Sequence, residues 1–156
     1  GRAQERHVPV VIHAGEAAGA ESVRKALESG ALRIGHGIRA MEDSGLMELL
    51  RDRKIYLEMC YSSNLQTRAV DSPEDYPLPE FMEKGLYVTV STDNMTVSDT
   101  NLKKEYLLLK KQFALTDDAL KQLALNAAEG AFVTEEERAE LKSRIQREFA
   151  AWLGQG

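Results

Sequence analysis

Val8-Pro9-Val10-Val11-Ile12-His13-Ala14-Gly15-Glu16 is the stretch on which the reading of this chain turns. A run of β-branched residues ends in a histidine and passes through Ala14-Gly15 onto a carboxylate. Pro9 removes a backbone donor, so the strand starts just after it. The run is apolar at successive positions and predicts a parallel strand buried on both faces. Gly-terminated helical segments alternate with further short apolar runs downstream. Ala17 to Ser29 predicts a helix with Val23, Ala26 and Leu27 on its apolar stripe and Gly30 as its stop. Leu32 to His36 is a second strand. A second helix lies within Ile38 to Arg53, with Leu46, Leu49 and Leu50 buried and the acids Glu42 and Asp43 in its first turn.

Ile55 to Met59 reads as a third strand, followed by a polar loop, Tyr61-Ser62-Ser63-Asn64. Asp71 to Pro79 carries three of the four prolines and reads as a surface loop. Pro79 to Lys84 is a short helix closed by Gly85, and Leu86 to Val90 is a fourth strand, running into Ser91-Thr92-Asp93-Asn94. Helices finish the chain: Leu102 to Phe113, Thr116 to Glu129 with Thr116 as N-cap, and Thr134 to about Leu153, opened by a Thr134/Glu137 capping box. Alternating strands and helices predict an α/β fold with a parallel sheet. Nothing in the 156 residues divides them into two domains.

Composition narrows the function classes. Hydrophobic residues at 43% and charged residues at 29% are those of a globular chain, which excludes a disordered one. No apolar run reaches the ~20 residues of a membrane span, and Gly1 to Arg6 has no apolar segment of a secretory signal. The net charge of −5, without a basic block, speaks against nucleic acid as a partner. Cys60 is the single cysteine, so an internal disulfide and a cysteine-built zinc site are both excluded. A reducing, cytoplasmic setting is the simple expectation.

Three strand ends carry ionisable groups: His13, His36 and Asp93. Parallel α/β sheets build their sites at these carboxyl ends. A single histidine there is as readily a structural group bonded to a backbone carbonyl. Three such groups on neighbouring strands are harder to explain by packing. His13 and Asp93 offer a nitrogen and an oxygen to a divalent metal. Metal binding would lower the pKa of a bound water to about 7. His36 could orient or deprotonate that water. Glu16 is placed to face a substrate and donate a proton, or simply to sit as a favourable charge at the N-terminus of the next helix.

The motifs resemble one family. His13-Ala14-Gly15-Glu16 is similar to the HAGE motif of the adenosine deaminase family, and Arg33-Ile34-Gly35-His36-Gly37 to its next strand. Ser62-Ser63-Asn64 is similar to its Ser-Asn loop, and Ser91-Thr92-Asp93-Asn94 to the end of its last barrel strand. The four occur in the family's order across nearly the whole chain. The resemblance implies a zinc-dependent hydrolase that deaminates adenosine, on strands five to eight of a (β/α)₈ TIM barrel. It implies His13 and Asp93 as zinc ligands, Glu16 as proton donor to purine N1, and His36 as the group orienting water. It implies Gly15 and Asn94 as substrate contacts, Asn94 at N7. Many members have Asp at position 94; the Asn amide can donate directly. Tyr61 stands where relatives often have Pro.

Length sets the main departure. A (β/α)₈ barrel takes about 250 residues, and four strands are legible here. The family's first strand carries a His-x-His pair that supplies two further zinc ligands. This chain has no such pair, since its third histidine, His7, stands alone. The expectation is a single C-terminal half-barrel domain over residues 1–156, entered at Gly1-Arg2 in what reads as a helix tail. Two functions follow. The chain is part of a purine deaminase, acting on adenosine, adenine or a modified adenine nucleoside. Alternatively it is a non-catalytic half-barrel module that associates with an N-terminal half or with itself.

Overall fold

The computed structural model describes residue 6 and residues 8–153, so the readings at Gly1-Arg2 and His7 lie outside the described residues. Four strands, β1 (Val11–Ala14), β2 (Arg33–His36), β3 (Tyr56–Met59) and β4 (Tyr87–Val90), form one sheet. All its pairings are parallel and the spatial order is β1-β2-β3-β4. A doubly wound sheet reverses its order at a switch point. An unbroken order is the progression of a barrel wall, in which each strand is followed by its helix. The α/β unit expected from the sequence is therefore present.

The connecting elements are α1 (Ala20–Glu28), a 3₁₀ turn (Ile38–Glu42) leading to α2 (Ser44–Asp52), then α3 (Tyr61–Gln66) and α4 (Leu78–Glu83). Helices α5 (Leu102–Phe113), α6 (Asp117–Glu129) and α7 (Glu135–Leu153) follow β4. No helix among the described residues is long and apolar enough to cross a membrane. Residues alternate between the two sides of each strand. Register partners Ile34, Leu57 and Val88 point into one core with Val23, Leu46, Leu50, Phe81 and Leu123. Burial of such side chains stabilises by about 1.5–3 kcal/mol each.

The other sheet face is more polar. Arg33 pairs with Glu58 on the neighbouring strand. It also donates to Gly130 O at 3.3 Å and lies 5.2 Å over the Phe132 ring. The segment after α6 thus covers this face beneath β2 and β3. Strand β1 differs from its expected burial on both faces: Val11 and His13 are exposed. β1 is an edge strand, and among the described residues no second layer is seen covering that end of the face.

Helix ends follow the residues that cap them. Asp43 caps α2 by accepting from Leu46 N at 2.9 Å, and Thr116 caps α6 by accepting from Ala119 N at 3.1 Å. Thr134 and Glu137 form the reciprocal box, with Thr134 N donating to Glu137 Oε2 and Glu137 N to Thr134 Oγ1. On α2 the buried residues are Leu46, Met47 and Leu50, with Leu49 only half-buried.

Two loop readings are corrected. Tyr61-Ser62-Ser63-Asn64 begins helix α3, and Tyr61, Ser63 and Asn64 are buried. Serine and asparagine are weak helix formers; tertiary contacts override them. The stretch Asp71 to Pro79 is not a plain surface loop either, since Tyr76 and Leu78 are buried. Tyr76 packs edge-on against Tyr61 with ring centroids 5.0 Å apart, and stacks on Phe113 of α5 at 6.3 Å.

Gly130 supplies a test of how the end of α6 seats. A Cβ built there would lie 2.6 Å from Tyr56 Cγ. Gly130→Ala should cost about 1–3 kcal/mol in denaturant unfolding. The cost should shrink when Tyr56 is also replaced by Leu; equal cost in both backgrounds would contradict the contact.

Candidate active site at the carboxyl ends of the strands

The first wall of the site is the β1 turn. Gly15 adopts φ +68, and a Cβ there would meet Val23 Cγ2 at 2.7 Å and the Gly37 backbone at 3.2 Å. Its N–H donates to Ser22 Oγ at 2.8 Å and its carbonyl accepts from Arg39 N at 3.0 Å. Glycine at this position is therefore required by packing between two strand-end turns. Those bonds send the chain back sharply and leave Glu16 half-buried beside β2.

The second wall is the β2 end. His13 is in register with Gly35, and a Cβ at 35 would sit 3.0 Å from His13 Cγ. The missing side chain makes room for the imidazole. His36 has φ 65, a left-handed conformation uncommon outside glycine, and Gly37 follows at φ 71. This pair of left-handed residues turns the His36 ring inward, where it is 1% exposed. Its centroid lies 5.2 Å from that of His13, edge to face. His36 Nε2 is 3.4 Å from Glu16 Oε2.

Helix α3 joins these walls to the β4 end. Asn64, with no exposed surface, donates from Nδ2 to Glu16 Oε1 at 3.2 Å and lies 3.0 Å from His36 Nδ1. Its Oδ1 accepts from Tyr76 OH at 3.4 Å. Thr67 Oγ1 adds a second donor to Glu16 Oε1 at 3.2 Å. Ser63, the residue before Asn64, donates to Asp93 Oδ2 at 2.7 Å. One turn of helix thus holds Asp93 on one side and the Glu16/His36 pair on the other. Asp93, at φ 55, stands exposed in the loop after β4.

The N-terminus of α3 is held in turn by Glu105. This carboxylate has no exposed surface. It accepts from Ser62 N at 3.1 Å, from Ser62 Oγ, and from Thr100 Oγ1 at 2.5 Å. Hydrogen bonds to a charged acceptor are about twice as strong as neutral ones. Asn94 lies outside this network. Its Oδ1 accepts from Thr96 N and Val97 N at 3.1 and 3.0 Å, so the side chain closes the loop. With the acceptor so engaged, the group Asn94 offers a ligand is its N–H donor.

His13, Glu16 and His36 therefore form one cluster, and Asp93 is linked to it through Ser63 and Asn64. Among the described residues there is no group of three or more His, Cys, Asp or Glu arranged to hold a metal. His13 and Asp93 are zinc donors in kind. In number they fall short of the three protein ligands of a catalytic zinc. Cys60 adds none: burial, followed by the nearby Asp93 and Glu58 charges, pushes its thiol up to about 12. Sequence reasoning missed the roles of Ser63, Asn64, Thr67 and Glu105. The Ser-Asn pair was visible as a motif, but as a loop it had no partners. Glu105, within Lys103-Lys104-Glu105-Tyr106, carries the pattern of a solvated helix face.

The adenosine deaminase family profile matches residues 1–148. This chain belongs to the adenosine deaminase family. It is 50% identical over 147 residues to an adenosine deaminase of Haemophilus ducreyi, covering 94% of this chain and 43% of that protein. An adenosine deaminase of Enterococcus faecalis is 41% identical, with 94% and 44% covered. Among solved structures, an adenine deaminase from Arthrobacter aurescens superposes with a TM-score of 0.90 at 31% identity, over 94% of this chain and 45% of that one. An amidohydrolase of Burkholderia ambifaria with bound Zn shares the fold, with a TM-score of 0.88 at 23% identity. The coverage there is 97% of this chain and 43% of that one. The chain thus spans less than half the length of the relatives it matches, as a half barrel does.

Two outcomes test this scaffold. Cys60 should resist thiol reagents in the folded chain throughout neutral and mildly alkaline pH, and react on denaturation; fast labelling of native protein would contradict its burial. Glu105→Ala strands the Ser62 N–H and should cost about 3 kcal/mol of stability, read by chemical denaturation.

Proposed function

We propose that this chain is the C-terminal half of a zinc-dependent (β/α)₈ deaminase that hydrolyses adenosine to inosine and ammonia. The observation that carries the proposal is the Glu16 carboxylate, bonded by Asn64 and Thr67 and set beside His36, with His13 on the same strand end. A solely structural carboxylate at a helix start would need only the α1 N-terminus. Here three side chains from two other elements hold it at the sheet's open end.

In this reading Glu16 donates a proton to N1 of the purine, which makes C6 more electrophilic. His36 orients the attacking water toward C6; one water proton returns to Glu16, and the other passes to the amino group, which leaves as ammonia as the C6–N bond breaks and C6=O forms. The Asn94 amide donates to N7. Gly15 contributes by its small size, since its own N–H is engaged by Ser22. His13 and Asp93 would hold the zinc, which when bound supplies hydroxide near neutral pH. Ser63 keeps the Asp93 carboxylate in place. The remaining ligands and much of the substrate pocket belong to the first four strands of the barrel. Adenine or a modified adenine nucleoside is a second substrate class, favoured by the 31% identity to an adenine deaminase. The single cysteine accords with a cytoplasmic enzyme of purine metabolism.

The decisive experiment combines this chain with the N-terminal half of the Haemophilus ducreyi relative. Adenosine and adenine turnover are followed by absorbance with zinc present. Turnover is expected from the assembled pair and not from the chain alone. An assembled, zinc-loaded pair that leaves both purines intact would overturn the reading. Glu16→Gln in the pair should lower kcat by at least 100-fold, the lower range of general acid catalysis, with zinc content unchanged.

A further inference from the structure

We infer that Asn64 is a positioning residue that sets the tautomer of His36, leaving Nδ1 as acceptor and the proton on Nε2. The orientation of the Asn64 amide is fixed at its Glu16 end, and the Tyr76 hydroxyl is compatible with it. Glu16 Oε1 only accepts when the carboxylate is ionised, so the Asn64 atom 3.2 Å from it is the NH₂ group. At the opposite end, Tyr76 OH donates to Oδ1 at 3.4 Å. Tyr76 is buried, and burial holds its phenol well above the usual tyrosine range, so the hydroxyl keeps its proton. Nδ2 has two N–H groups. One serves Glu16 and the other points to His36 Nδ1 at 3.0 Å. A donor facing Nδ1 requires a lone pair there. In the neutral ring the proton is then on Nε2, the nitrogen 3.4 Å from Glu16 Oε2.

The inference concerns which nitrogen of the neutral ring bears its one proton. It assigns a role to a residue whose side chain is fully buried and which need not touch the ligand. For the proposed reaction it separates two roles that the sequence left open. A ring with N–H at Nε2 orients a water by donating to its oxygen, with Glu16 Oε2 as the competing acceptor 3.4 Å away. It has no lone pair on that side with which to act as base. This consequence rests on the deaminase reading, whereas the tautomer itself does not.

The test is nitrogen-15 NMR of the histidine rings in this chain, needing neither substrate nor turnover. In the native protein, His36 Nδ1 should give a pyridine-like shift and Nε2 a pyrrole-like one. The Asn64 side-chain amide protons should show proximity to the His36 Hε1 proton. Asn64→Leu, of similar size, removes the donor without adding a charge, and the His36 Nδ1 shift should move from pyridine-like toward an average of the two tautomers. A protonated Nδ1 in the native chain, or no contact between the Asn64 amide and His36, overturns the inference without any variant. So does a folded Asn64→Leu chain in which the Nδ1 shift is unchanged. Loss of turnover in the assembled pair with the predicted tautomer intact would count against the deaminase reading alone.

Discussion

The buried amide of Asn64 is the joint on which the site depends. Through its NH₂ group it reaches Glu16 from the β1 turn and His36 from β2, while its oxygen is held by Tyr76. An unpaired amide at such a site would cost several kcal/mol, so its partners and its orientation are chosen together. Ser63 extends the same joint to Asp93. Four strand ends are thereby tied by two adjacent residues of one short helix.

That helix is itself a tertiary product. Tyr61–Gln66 is six residues long and rich in serine and asparagine, so it does not form on propensity alone. Glu105, on an element more than forty residues away, accepts the N–H and the hydroxyl of Ser62 in the helix's first turn. Tyr61, Tyr76 and Phe113 pack around its other side. The cost of burying this polar side chain is offset by the hydrogen bonds converging on it. The strand-end geometry is thus supported from α5, well outside the strand-end motifs.

The sheet explains why polar residues occur where a core was expected. Its helix-facing side is continuous and apolar. Its inner side carries His13, the Arg33–Glu58 pair and Thr89 in neighbouring register positions. Parallel barrels fill this interior with layers contributed by all their strands. With four strands, β1 shows that side at Val11 and His13, which the reading of the run as buried on both faces did not anticipate. The chain spans less than half the length of these relatives, and His13 and Asp93 offer side chains of the zinc-binding kind but fewer than the three of a catalytic site.

The sequence by itself determined the order of strands and helices, the capping of α6 and α7, and the strand-end positions of His13, Glu16, His36 and Asp93. These are local properties. They follow from hydrophobic period, from residues such as Thr116 and Thr134 that satisfy helix-end donors, and from contiguous motifs. Only the tertiary structure decided that Ser63 and Asn64 lie in a helix, that Tyr76 is buried, and that Glu105 supports the site. Each depends on partners distant in sequence, such as Ser62 and Glu105, 43 positions apart. A hydrogen bond across such a separation leaves no periodicity in the chain; it exists only once the sheet has brought its strand ends together.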